Sequence, residues 1–215
     1  MNTNTSQQEP IVSLLSRVSA FTKTHKTGVL ITILVIIAAV SFGWAYKNHC
    51  DKVTEESWAA YYTAQIEFNS GSDEKAIALL DQIAAKYPGT PAAQYAQLAK
   101  GDFWYEEEDF AKAADVYKTL LNARTQSVRD VAALSLAAAY QAKGDYKDSA
   151  DTADQFIKNN PTSFALPQAY LTLALSQELA GNKTEAIAAY TYLLENYTKT
   201  YFGTFAKDKL VALKK

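Results

Sequence analysis

Cysteine, histidine and methionine are nearly missing from this chain. Its 215 residues include one Cys (Cys50), two His (His25 and His49) and one Met. A structural zinc site needs about four N or S ligands and a disulfide framework needs paired cysteines, so neither an intrachain disulfide nor a metal site is expected. Turn formers are scarce too, with 8 Gly and 5 Pro, whereas Ala, the best helix former, occupies 36 positions. The expectation is a mostly helical chain. Charge of one sign is also lacking, since 21 Lys plus Arg against 23 Asp plus Glu leave a net charge of -2. A nucleic-acid partner would call for a basic face, and none is expected.

The parts of a catalytic site are equally absent. There is no Gly-rich phosphate loop and no Gly-x-Ser-x-Gly elbow, and His25 and His49 stand on opposite sides of an apolar run. No enzyme activity and no cofactor are expected. The densest acidic cluster, Glu106-Glu107-Glu108-Asp109, lacks the alternating ligand spacing of a calcium loop and reads as a solvated turn with a helix-starting Asp.

What the chain does have is one long apolar run. Thr27 to Tyr46 carries no formal charge over 20 residues, and a helix of that length covers about 30 Å, the thickness of a bilayer core. Trp44 and Tyr46 close the run, and Lys23, Lys26 and Lys47 bracket it, as expected at membrane interfaces. A cleaved secretory signal is the alternative, but its apolar core is shorter and begins nearer the N-terminus. Residues 27–46 are therefore expected to stay as a membrane anchor. Arg17, Lys23 and Lys26 precede the span and Lys47 and Lys52 follow it. That small excess favours residues 1–26 in the cytoplasm and an acidic distal domain outside.

In the tail, Ile11, Leu14, Leu15, Val18 and Phe21 fall at helical spacing behind Glu9-Pro10, predicting a short amphipathic helix. It either meets a membrane surface or partner, or merely extends the anchor. Residues 47–54 read as a juxtamembrane linker. Cys50, just beyond the span, is either inert or available for an intermolecular disulfide.

A repeat fills the rest, residues 55–215. Ala76, Ala113, Ser149 and Ala186 recur 37, 36 and 37 residues apart, behind turns taken as Gly71, Asp109, Gly144 and Gly181. Each unit reads as helix-turn-helix, and 201–213 reads as one capping helix whose Lys207, Lys209, Lys214 and Lys215 supply its polar outer side. The second helices should bury Leu80, Ile83, Tyr117 and Leu120.

These units resemble the tetratricopeptide repeat. The likeness lies at the turn, at the small residue opening each second helix, and at Leu80, Tyr117 and Tyr190 four residues further on. Ala64, Gly101, Ala137 and Ala174 stand at the small position of the first helix. The Trp common early in that family's first helix is missing at Ala60, Gln97, Ala133 and Tyr170, and the period is two to three residues longer than the family's usual one. The resemblance implies an all-α solenoid of about four helix pairs with a groove lined by the first helices. Counting from the turns places Trp58, Tyr61, Gln65, Phe68, Tyr95, Leu98, Asp102 and Tyr105 on that side. Such aromatics serve either core packing or a partner groove. Val131, Leu134, Ala138, Leu171 and Leu175, at the same positions further on, read as packing. The Lys and Asn clamps that grip a C-terminal carboxylate in some repeats are not seen, so a free chain terminus is not the favoured ligand.

The whole plan, tail, span and repeats, resembles the YfgM-type ancillary subunits of the bacterial Sec translocon. That resemblance implies a single-pass inner-membrane protein whose periplasmic repeats meet translocon subunits, chaperones or unfolded clients. The repeats are also similar to those of BamD and CpoB proteins, which implies instead an adaptor for envelope assembly or cell division.

Overall fold

The structure, a computed structural model, describes residues 19–21 and 23–213. It divides into two compact units, Met1–Val53 and Thr54–Lys215. Among the described residues there are helices and turns and no strand.

In the first unit, Phe21 lies in a short helical stretch, its ring 4.9 Å from that of His25; Ile11, Leu14, Leu15 and Val18 lie outside the described residues. Helix α1, Lys26–Asn69, then begins, and it is long and apolar enough to cross a membrane. Its apolar side chains, Leu30 to Val40, Phe42 and Trp44 among them, are exposed all round. Thr32 returns its hydroxyl to the Gly28 carbonyl at 2.9 Å, so this polar side chain within the run is satisfied inside its own helix. Residues 47–54 are helical throughout.

The second unit is built from helix pairs. The part of α1 from residue 54 pairs with α2 (Asp73–Lys86), α3 (Pro91–Glu106) with α4 (Phe110–Leu120), α5 (Gln126–Lys143) with α6 (Tyr146–Asn159), and α7 (Leu166–Leu179) with α8 (Lys183–Asn196). Helix α9 (Tyr201–Leu213) closes the stack against α8 and α7. From α2 onward each helix packs on the next in sequence, and α3, α5, α7 and α9 also touch in succession, so these four form one continuous inner layer.

Small residues make this stacking close. Ala76, Ala113, Ser149 and Ala186 are completely buried, as are Ala64, Ala137 and Ala174 opposite them. Leu80, Ile83, Tyr117 and Leu120 complete the expected core. Ser149 is polar yet buried; its hydroxyl donates to the Ala137 carbonyl at 2.7 Å and meets Ser176 Oγ at 2.7 Å, so the third and fourth pairs are joined without an orphaned group.

Two details correct the sequence reading. In the second pair the left-handed turn residue is Glu108 (φ 60°), which stands where the other pairs have Gly71, Gly144 and Gly181 (φ 75°, 91° and 81°). Asp109 is the N-cap of α4, its carboxylate accepting from the Lys112 amide at 3.1 Å. The second correction concerns Lys209. It is not on the outer side of α9; it reaches back to Glu178 of α7 at 2.9 Å and is about one-third exposed, because that carboxylate would otherwise sit half-buried with only Tyr190 as a partner. Lys207 is exposed, and Lys214 and Lys215 lie outside the described residues.

Candidate functional site

Trp58, Tyr61, Gln65 and Phe68 are three or four residues apart on α1 and therefore share one face. Tyr95, Leu98 and Asp102 share a face of α3 in the same way. The two faces meet through rings: Trp58 lies 5.6 Å from Tyr95, and Phe68 lies 5.6 Å from Phe103. Between them is an open cavity of about 500 Å³, lined by Tyr61, Gln65, Phe68, Tyr95, Leu98 and Asp102 together with Asn69, Asp73, Ala99, Phe103, Glu106 and Glu107. Six of the eight residues expected from sequence thus share one cavity.

The other two sit differently. Trp58 stands edge-on to Tyr61 and stacks on Tyr62, bracing the aromatic row. Tyr105 turns to the ring of Phe110, 5.2 Å away, and does not line the cavity. Asn69, Asp73, Phe103, Glu106 and Glu107 were not on the expected face. For Glu106 a signal existed: at 3.6 residues per turn, the series 95, 98, 102 continues to 105 or to 106, and the helix brings 106 round.

The rings are only half-buried, whereas Leu98 is buried beneath them. Gln65 Nε2 donates to the Tyr61 hydroxyl at 3.2 Å. Beyond the cavity, the Tyr95 hydroxyl and Ser127 Oγ are 3.1 Å apart, tying α3 to α5. From beneath, Tyr117 donates its hydroxyl to Asp102 Oδ1 at 2.7 Å. Burial pushes the Asp102 carboxyl above its usual range, and the charge of Glu106 adds to this, although the Tyr117 hydrogen bond opposes both. Burial likewise raises Tyr61, helped by the charge of Asp102, and raises Tyr117, which is hydrogen-bonded to the same carboxylate. Both phenols are neutral at physiological pH.

The cavity offers flat rings, a few carboxylates and one amide. It holds no nucleophile paired with a base, and among the described residues no group of His, Cys, Asp and Glu is disposed to hold a metal ion. The arrangement suits the binding of another chain's side chains.

Stacked helix pairs with a small residue at each crossing, an inner layer of first helices and a closing single helix define a helical-repeat solenoid. The model of the tetratricopeptide repeat-like domain family matches residues 20–215, and the chain belongs to that family. Among solved structures, the kinesin-light-chain TPR-like repeats of Podosopora anserina superpose with a TM-score of 0.59 at 16% identity, over 74% of this chain and 86% of that one. MamA from Desulfovibrio magneticus RS-1, from its residue 41 to its end, superposes with a TM-score of 0.53 at 15% identity, over 74% of this chain and 93% of that one. At these identities the likeness is one of fold. No curated protein matches the sequence. A protein-interaction module is what this fold supplies.

Proposed function

We propose that the protein is a non-enzymatic scaffold, held in the bacterial inner membrane by residues 27–46 with its N-terminus in the cytoplasm, and that its periplasmic repeat domain works beside the Sec translocon. There it contacts translocating clients or chaperones through the cavity between α1 and α3. The observation that carries the reading is the row of half-buried rings at that cavity. Tyr61, Phe68 and Tyr95 line it while Leu98 is buried behind them, and rings left open to solvent at a cavity suit anchoring a partner.

The test is site-specific photocrosslinking in living cells. A crosslinker replacing Gln65, at the cavity, is expected to capture translocon subunits, chaperones or nascent clients. One replacing Glu195, exposed on the second helix of the last pair, should not. Tyr61→Ala should reduce the capture about tenfold, while Tyr105→Ala, which lies off the cavity, should leave it intact. Equal capture from both positions, or none from Gln65, would remove this reading. Topology has its own measurement: Cys50 should react with a membrane-impermeant thiol reagent added to cells with a permeabilised outer membrane, and labelling only after the inner membrane is opened would reverse the assignment.

A further inference from the structure

Every formally charged side chain lining the α1–α3 cavity is acidic: Asp73, Asp102, Glu106 and Glu107, with no Lys, Arg or His among them. Elsewhere in the repeat domain several carboxylates are matched by lysines. Lys75 meets Glu67 at 2.6 Å, Lys100 meets Asp81 at 2.6 Å, Lys112 meets Asp109 at 2.7 Å, and Lys209 meets Glu178 at 2.9 Å. Two of these pairs neutralise acids that adjoin the cavity in sequence, Glu67 beside Phe68 and Asp109 beyond Glu108. Among the described residues the four acids of the cavity itself take part in no ion pair, and Asp102 accepts from the neutral hydroxyl of Tyr117.

From this one-signed lining beside half-buried rings we infer that the cavity receives an extended segment of another protein that presents a lysine or arginine beside an aliphatic or aromatic side chain. The inference rests on the reading of the cavity as a partner site and adds the chemistry of its occupant. The apolar side chain lies on Tyr61, Phe68 and Tyr95 above Leu98. The cation is met by Asp102 on α3 and by Glu106 and Glu107 at the end of the same helix, and a ring face adds attraction of its own. A carboxylate already held partly out of water and next to like charge gains more from an arriving cation than a fully solvated one does. An acidic occupant is opposed by the same four groups, so the charge set selects as well as attracts.

The experiment is fluorescence anisotropy on the full chain in detergent micelles with three labelled nonapeptides: GSLKFRLSG, its glutamine counterpart GSLQFQLSG and its glutamate counterpart GSLEFELSG. The expected result is that the basic peptide binds at least about tenfold more tightly than the glutamine peptide, with an affinity that falls as salt is added. The glutamate peptide should bind most weakly. Glu106→Gln combined with Glu107→Gln changes two exposed side chains and should leave the thermal midpoint in place while removing most of that preference. Equal binding of the basic and glutamine peptides, both lost in Tyr61→Ala, would overturn the charge selection and leave the partner site standing. Failure of all three peptides to bind a chain with an intact helical spectrum would overturn both, and a preference for the glutamate peptide would overturn the inference outright.

Discussion

The ring of Tyr117 lies where a side chain on Gly101 would have to go: a Cβ there would stand 2.5 Å from Cε1 and 2.8 Å from Cδ1 of the ring. The bare backbone of Gly101 lets Tyr117 cross α3 and place its hydroxyl on Asp102, the next residue. In the last pair Ala174 stands at the equivalent position, and Tyr190 runs further along α7 to Glu178 instead. Each buried tyrosine reaches the carboxylate that its first helix carries, next to Gly101 in the second pair and four residues beyond Ala174 in the last, and in the second pair that carboxylate lines the cavity.

Gly101→Ala is therefore expected to destabilise the fold by about 1–2 kcal/mol, because crowding of a close-packed ring outweighs the gain of about 1 kcal/mol in helix propensity. In a Tyr117→Leu background the ring is gone, and the same change should become neutral or stabilising. Urea unfolding followed by circular dichroism measures both. A loss of equal size in the two backgrounds would mean that the contact does not govern this position.

At the turn of the second pair Glu108 holds φ 60°, a conformation that costs a side-chain-bearing residue about 1 kcal/mol or more. Glu108→Gly should raise stability by about 0.5 kcal/mol after the extra freedom of glycine in the unfolded chain is subtracted. The converse change, Gly144→Glu at φ 91°, should lower it by about 1 kcal/mol or more. Thermal midpoints of the two variants moving the same way would contradict the assignment.

Glu178 accepts from Tyr190 at 2.7 Å and from Lys209 at 2.9 Å. Burial pushes its carboxyl up, but those two hydrogen bonds and the lysine charge hold it below its usual range. A carboxyl depressed in the folded state contributes stability above its unfolded value of about 4.3 and loses it as the pH falls through the lower folded value. Wild-type protein should thus lose stability more steeply than Glu178→Gln as the pH falls below the ordinary carboxylate range. A double-mutant cycle with Lys209→Met should give a coupling of about 1 kcal/mol at neutral pH that vanishes in acid. Parallel acid limbs for wild type and Glu178→Gln would rule out this role for the pair.

The repeat was readable because its signal is local: a small residue recurs at a fixed interval, and all four of Ala76, Ala113, Ser149 and Ala186 are buried where helices cross. The turn of the second pair was misread by one residue because its left-handed position carries Glu108, and without glycine the sequence gives no mark of positive φ. Trp58, Tyr61, Gln65 and Phe68 were legible as one face of a helix, but Tyr105 and Glu106 are separated only by where a turn of 3.6 residues happens to fall. Lys209 was hidden for a different reason. Its partner Glu178 lies 31 residues earlier, and helical periodicity carries no information about contacts between separate helices.

Because each helix of the repeat domain leans on the next, with only the inner layer bridging one further, the domain resists force in series. Tension applied at the C-terminal end would detach α9 first, releasing Lys209 from Glu178, then α8 and α7 in turn. Extension would proceed as a run of small yields instead of one large rupture. The Trp58–Tyr95 and Phe68–Phe103 contacts lie at the opposite end of the stack, so the cavity would keep its shape until most of the domain had been drawn out.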